Sequence, residues 1–361
     1  MPSTTFWRDK KVFVTGHTGF KGSWLTLWLA SMGAKVKGYA LEAPTEPSLF
    51  QVADIAGMCK SHQIGDIRDV SALYQSIKAY QPDIVIHMAA QPLVRYSYDH
   101  PIETYETNVM GTVHLLDAVR RLDSVRAVVC VTSDKCYDNR EWVWGYRETE
   151  PMGGYDPYSN SKGCSELVVS AYRNSFFNAD DYSQHGVAVA SVRAGNVIGG
   201  GDWALDRLIP DILKAFEQQQ TANIRHPYAI RPWQHVLEPL SGYLVLAEAL
   251  YTQGPTFNGG WNFGPHSSDA KPVQYIVEKL AKLWGNNASW CIEEGQHPHE
   301  AHYLKLDCSK AAQLLNWHPR WNLNRTLEMI VNWHQSWLSN TDMQCYSLNE
   351  VAVYTMAMDD E

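Results

Sequence analysis

No apolar run in the chain approaches the ~18–20 residues of a membrane-spanning helix, and the longest, at residues 84–90 and 127–132, are of strand length. No apolar signal core precedes them. MPSTTFWRDKK leads straight into the strand-like KVFVTG, so a cytoplasmic location without a membrane partner is expected. Positive charge is not in excess: 30 Lys and Arg stand against 39 Asp and Glu, for a net −9. That balance argues against a nucleic-acid partner. Metal-ligand spacing is missing too, with no C-x-x-C or H-x-x-x-H pair, so no metal site is expected. The seven cysteines are odd in number and irregularly spaced, which speaks against a disulfide framework and for reduced thiols. Repeats and low-complexity segments are absent, and 45% hydrophobic with 19% charged residues excludes disorder.

What the chain does have is alternation between two hydrophobic periods. Residues 11–16 read as a buried strand. Residues 20–32 read as a helix, with Trp24, Leu25, Trp28 and Leu29 on one face and Gly33 as its stop. Strands follow at 35–41 and 61–67. Asp69 can cap a helix over 70–80, and a strand apolar on both faces covers 83–90. A helix over 101–122, a strand over 126–133, a helix after Pro157 and a strand over 188–197 complete the series. Such alternation predicts an α/β fold: a doubly wound parallel sheet of Rossmann type, with ligands at the carboxyl ends of its strands. After about residue 196 the texture turns irregular and rich in Trp, Pro, His and Gly, as expected of a smaller mixed α/β substrate-binding lobe. Residues 1–195 then form the dinucleotide-binding domain, with a returning segment near 225–262, and residues 196–361 mainly form the lobe.

The first strand runs into Gly16-His-Thr18-Gly19-Phe20-Lys-Gly22 and then a helix. Glycines there permit a tight turn and close approach of backbone to phosphate, and the helix N-terminus offers free N–H groups. Gly16, Thr18, Gly19, Phe20 and Gly22 are therefore candidate cofactor residues. At the end of the third strand, Asp66 can accept from an adenine amino group with Ile67 against the ring. Ala89 and Ala90, ending the fourth, are small enough for a cofactor to lie on the backbone. No Lys or Arg occurs between residues 38 and 57, where an Arg usually receives a 2′-phosphate, so NAD is expected rather than NADP. His17 and Lys21, in the glycine turn, are the basic groups that could reach such a phosphate.

Tyr158 and Lys162 stand at i and i+4 at a helix start, after Asp156-Pro157. They share one helix face. A nearby ammonium would lower the phenol's pKa and make Tyr158 a proton acceptor; the same lysine could hold a nicotinamide ribose. Together with Gly16-x-x-Gly19-x-x-Gly22, Asp66, Ser133 and the Asn108 and Asn196 segments, this pair resembles the extended short-chain dehydrogenase/reductase family that acts on nucleotide sugars. The resemblance spans roughly residues 8–335. It implies a homo-oligomer, dimer or tetramer, pairing through the helices near 101–122 and 158–176, and adds Ser133 to the catalytic set and Asn108 to the cofactor set.

The same resemblance implies the 4,6-dehydration of a nucleotide hexose, a CDP-hexose most closely, because Asp134-Lys135 stands where such enzymes carry an acidic pair. Oxidation at C4 acidifies H5. Asp134 would protonate the departing C6 hydroxyl, and Lys135 would remove H5, which requires a neutral amine such as burial provides. Asn196, Arg207 and Arg231 match positions that hold the diphosphate and base in relatives, and Trp233 or Tyr303 could stack on a pyrimidine or cover the sugar. The alternatives are a 4-epimerase of the same fold, which needs no elimination pair, and a non-catalytic dinucleotide sensor, which needs no base.

Overall fold

The computed structural model describes residues 1–293 and 304–357. Seven strands make one sheet: β1 (Lys11–Thr15), β2 (Lys35–Ala40), β3 (Ser61–Ile64), β4 (Ile84–His87), β5 (Ala127–Val131), β6 (Ala188–Arg193) and β7 (Gly259–Asn262). All neighbours are parallel, in the order β7-β6-β5-β4-β1-β2-β3. The order reverses beside β1, and such a reversal opens a crevice at the strands' carboxyl ends. Thr15 pairs with both Tyr39 and His87, and His87 with Cys130, so β1, β2, β4 and β5 end level at that crevice.

β4 and β5 are buried at every position because helices cover both faces. On one face lie α1 (Phe20–Ser31), α5 (Leu237–Gln253) and α7 (Met343–Met356), which contribute Trp24, Trp28, Leu240, Tyr243 and Tyr354 to the larger core. On the other lie α2 (Val70–Tyr80), α3 (Gly111–Val119) and α4 (Pro157–Ser175), with Leu73, Ile77, Leu115 and Val169 inside. A third core, around Ile209, Leu213, Phe216, Ile276 and Leu280, belongs to the smaller lobe; α6 (Leu323–Leu338) gives it Leu327 and gives the larger core Trp333. Among the described residues no helix is long and apolar enough to cross a membrane.

Three local outcomes differ from the sequence reading. The stretch over 101–122 is not one helix: Pro101–Tyr105 and α3 flank a wider turn at Glu106–Met110. There the Asn108 carbonyl accepts from the hydroxyls of Thr112 (2.7 Å) and Ser165 (2.8 Å), which compete with the regular helical ladder. The segment GGWN, read as irregular, is the edge strand β7. Its glycines make room for a buried guanidinium, since a Cβ at Gly260 would lie 2.4 Å from Arg193. Within the same irregular stretch, Met343–Met356 form the regular helix α7, clamped where the Tyr354 hydroxyl donates to Glu238 at 2.7 Å.

Candidate active site

Gly16 has a φ of +78°, and a Cβ there would meet the backbone of Ala89 at 2.7 Å. A Cβ on Gly22 would lie 2.0 Å from the Gly16 carbonyl oxygen. The chain therefore turns against itself and opens the N-terminus of α1 to the crevice. The Thr15 hydroxyl accepts from the amides of Met88 and Ala89, both at 3.1 Å, and so fixes the end of β4 to β1. Gly16, Thr18, Gly19, Phe20, Gly22, Asp66, Ile67, Ala89 and Ala90 all line one cleft of about 1990 Å³. That exceeds the ~300–1,000 Å³ of a pocket for one small ligand and leaves room for two. The turn is a cradle that any side chain would fill, and it fits a dinucleotide pyrophosphate.

We expect Gly22→Ala to destabilise the ligand-free protein by about 1–3 kcal/mol, as overpacking against fixed backbone does. Gly19→Ala should not, because its Cβ would meet only the Gly16 carbonyl, at 3.5 Å. Thermal unfolding of the two variants checks this contrast; equal melting temperatures would contradict it.

Asp66 lines the cleft with its carboxylate paired to Arg68, at 2.6 Å from Nη2 and 2.8 Å from Nε. Arg68 holds it below the usual carboxylate range. The reading of Asn108 as a cofactor contact is corrected. Its side chain is buried, accepts from the Gln91 amide at 2.9 Å and donates to the Gln91 carbonyl at 3.1 Å and to Ser161 at 2.9 Å. It braces the segment after β4 against α4 instead. The two basic residues of the glycine turn lie apart, His17 against β2 and Lys21 toward α5. His17 is buried against Gly38, Phe50 and His62, and burial, with His62 beside it, brings its pKa down to about 4. Lys21 points over the ring of Tyr243, with Nζ 5.8 Å from its centroid.

The catalytic candidates converge from two elements. β5 runs out into Thr132, Ser133, Asp134 and Lys135, which line the cleft. Asp156 caps α4 by accepting from the Ser159 amide at 2.9 Å, with Pro157 at the first helical position. This places Tyr158 on the first turn, its amide donating to the Ser97 hydroxyl at 3.1 Å. The Ser133 hydroxyl faces the Tyr158 phenol and donates to Asp134 Oδ1 at 3.0 Å. Burial raises the Asp134 carboxyl above its ordinary range, against the pull of Lys135, the Ser133 hydrogen bond and Arg231.

Two electrostatic expectations change. The phenol is not lowered by Lys162: burial pushes it up to about 12, and the cation that opposes this is Arg207. Lys162 is itself buried, with Nζ 3.5 Å from the Val131 carbonyl, and desolvation brings it down to about 8. Lys135, expected to be buried, is exposed. Residues the sequence reading missed include Glu166, one further turn along α4 from Lys162. It accepts from Arg193 twice (2.9 and 2.7 Å) and from Ser191 (2.6 Å), and supports the Lys162 charge. Its i+4 spacing from Lys162 was a usable signal.

On the lobe side, Asn196, Arg207 and Arg231 line the same cleft, and Arg207 pairs with Asp202 at 2.9 Å. Trp233 touches the cleft, but it belongs to the lobe core and its indole N–H donates to the Lys271 carbonyl at 3.2 Å. Most of its ring is packed within that core. Tyr303 lies outside the described residues.

A dinucleotide-sized glycine cradle that shares one cleft with a tyrosine–lysine helix and an arginine-bearing lobe defines an oxidoreductase-type sugar-nucleotide site. The chain belongs to the GDP-mannose 4,6 dehydratase family, which it matches over residues 13–330. It is 66% identical over 357 residues to the CDP-glucose 4,6-dehydratase of Salmonella typhimurium, covering 99% of each chain. It is 26% identical over 342 residues to a dTDP-glucose 4,6-dehydratase of Xanthomonas campestris, covering 88% of this chain and 91% of that protein. Among solved structures, the UDP-glucose 4-epimerase of Thermotoga maritima with UDP-glucose superposes with a TM-score of 0.77. It covers 91% of this chain and 99% of its own, and at 18% identity that likeness shows the fold.

Proposed function

We propose that this protein is an NAD-dependent lyase that converts CDP-glucose to CDP-4-keto-6-deoxyglucose. The observation that carries the reading is the cleft itself: the glycine cradle, Ser133, Tyr158 and the Asp134–Lys135 pair all open into it. The 66% identity to a CDP-glucose 4,6-dehydratase supports the choice of substrate.

Gly16, Thr18, Gly19, Phe20 and Gly22 would hold the pyrophosphate of NAD; Asp66 and Ile67 would hold the adenine, Ala89 and Ala90 the backbone-facing edge, and Tyr158 and Lys162 the ribose end. The chemistry the cofactor supplies when bound is reversible hydride acceptance, from C4 and then to C6. Tyr158 takes the C4 hydroxyl proton, with Ser133 orienting it. Asp134, whose carboxyl burial raises above its ordinary range, delivers its proton to the C6 oxygen. This is the requirement that a 4-epimerase lacks. Lys135 removes H5; because it is exposed here, its desolvation comes from the hexose that covers it. Arg207 and Arg231 hold the diphosphate as planar double donors, with Asn196 beside them.

Residues 1–195, with the returning 225–262 stretch, supply the dinucleotide side, and residues 196–361 mainly the sugar-nucleotide side. Exposed Ile102, Met110 and Leu167 support a homodimer through the helices of those segments, in a cytoplasmic enzyme. The test is incubation with NAD and CDP-, dTDP-, UDP- and GDP-hexoses, with mass spectrometry for a 4-keto-6-deoxy product. Product from CDP-glucose well ahead of the others is expected. A C4-inverted hexose in its place would refute the lyase reading.

A further inference from the structure

Glu166 and Arg193 form a buried ion pair in which Arg193 Nε and Nη2 donate to the two Glu166 oxygens at 2.9 and 2.7 Å. Glu166 lies on α4, about two turns beyond Tyr158, and Arg193 is the last residue of β6. From this pair one hydrogen bond reaches each end of the short turn Ser133–Cys136, which carries Asp134 and Lys135. At the leading end the Thr132 hydroxyl donates to Glu166 Oε1. At the trailing end Arg193 Nη1 donates to the Tyr137 hydroxyl at 2.6 Å, and that hydroxyl donates on to Asn262 of β7 at 2.8 Å. Thr132, Tyr137, Glu166, Arg193 and Asn262 are all buried. The turn has little slack between its ends. A Cβ at Gly195 would lie 1.7 Å from Asp134 Oδ2, and one at Gly163 of α4 would lie 3.2 Å from the Cys136 carbonyl oxygen.

We propose that the Glu166–Arg193 pair is a positioning hub that fixes both ends of the Ser133–Cys136 turn against the helix carrying Tyr158. The inference rests on the dehydratase reading above. In that reading Ser133 and Tyr158 act at C4, and Asp134 and Lys135 act at C6 and C5, so the one turn serves both the oxidation and the elimination. Thr132 and Tyr137 line the cleft, but Glu166 and Arg193 do not, so the pair acts through the turn and not on the substrate. Each anchor serves a different half of the chemistry. The Thr132 bond holds the residue before Ser133, and the Tyr137 bond holds the segment that follows Asp134 and Lys135. Because the same carboxylate also sits on α4, both halves keep one register with the Tyr158 ring.

Removing Glu166 or Arg193 would leave an uncompensated buried charge and destabilise the fold, so the test cuts the anchors and keeps the pair. Tyr137→Phe keeps the ring stacked on Tyr146 and loses only the hydroxyl. In a single turnover with CDP-glucose and NAD it should form the 4-ketone at close to the wild-type rate. The ketone should then accumulate with its C6 oxygen, as 6-deoxy product slows by about 10²-fold, the cost of a ~1 Å misplacement. Thr132→Val should slow formation of the ketone itself by a similar factor, and Thr132→Ser, which keeps the hydroxyl, should restore it. KM for CDP-glucose and the NAD dissociation constant should stay within a few-fold in all three. Equal slowing of both steps in both anchor variants, or a loss matched by a smaller folded fraction, would reduce the pair to a fold-stabilising contact and overturn the proposal. So would unchanged rates, or a raised KM that accounts for the loss. A second measurement needs no turnover. The Gly153 amide donates to the Cys136 carbonyl at 2.8 Å, so its hydrogen exchange reports how firmly the turn is held. That exchange should quicken in Tyr137→Phe while the amides of β4 keep their wild-type protection; an unmoved Gly153 amide refutes the anchoring. If wild type yields no 6-deoxy product, the dehydratase reading fails, and the exchange result still decides whether the pair holds the turn.

Discussion

Tyr158→Phe should slow formation of the 4-keto-6-deoxy product by about 10²–10⁴-fold, the usual contribution of a positioned proton acceptor, while NAD affinity stays within a few-fold. The ring is located by its backbone: the Tyr158 amide is tied to Ser97 at 3.1 Å on the capped first turn of α4, so Phe keeps the packing. What it loses is the hydroxyl that faces Ser133. In the ligand-free site burial pushes that phenol up to about 12, so the acceptor form is scarce at neutral pH. The sign follows: kcat/KM should rise with pH in the wild type, and the Phe variant should lose the rise. Removing the Arg207 cation with Arg207→Met should move the limb to higher pH, since that guanidinium, after the Ser133 hydroxyl, draws the phenol down. Stopped assays across pH, with NAD titrated separately, check both effects. A Phe variant with near-normal kcat would remove Tyr158 from the chemistry.

Much of the first half of the fold could be read from the residues because its signals are local. A strand buried on both faces must be apolar throughout, as β4 and β5 are, and Asp69 and Asp156 cap the helices that follow them. What could not be read depends on partners distant in sequence. β7 carries no β-branched run, because two of its four residues are glycines, and Gly260 makes room for Arg193 on the neighbouring strand. The break at Glu106–Met110 follows from hydroxyls of Thr112 and Ser165, one of them on another helix. At the site, spacing pointed to Tyr158 and Lys162 and the family resemblance added Ser133 and Asp134; the cleft brings Ser133, Asp134 and Tyr158 together. Electrostatics did not follow from spacing. Tyr158 and Lys162 share a helix face, yet desolvation dominates both, and that term depends on everything packed around them. Lys21 was legible only as a basic residue near phosphates; its direction, over the ring of Tyr243, is a property of the folded chain.

Lys135→Ala should separate the oxidation of the hexose from its dehydration. Ser133 and Tyr158 act at C4 and are untouched by the change, whereas removal of H5 loses its amine. Formation of 6-deoxy product should fall by about 10²–10⁴-fold, and the hexose should stall as a 4-ketone that still bears its C6 oxygen. Quenching a single turnover with borodeuteride makes the stall visible: the trapped sugar carries deuterium at C4 and retains the C6 hydroxyl. In D₂O the wild-type product should carry deuterium at C5, because a proton held by an exposed lysine exchanges with solvent. The Ala variant should leave C5 unlabelled in the trapped ketone. Asp134→Asn offers the complementary block, since its C6 oxygen lacks a proton donor while H5 can still be removed; its trapped ketone should gain deuterium at C5. Two variants stalled at the same ketone, one labelled at C5 and one not, would assign the base to Lys135 and the acid to Asp134. If Lys135→Ala instead forms 6-deoxy product at the wild-type rate, Lys135 is an exposed neighbour of the site, and H5 is removed by another group in the cleft.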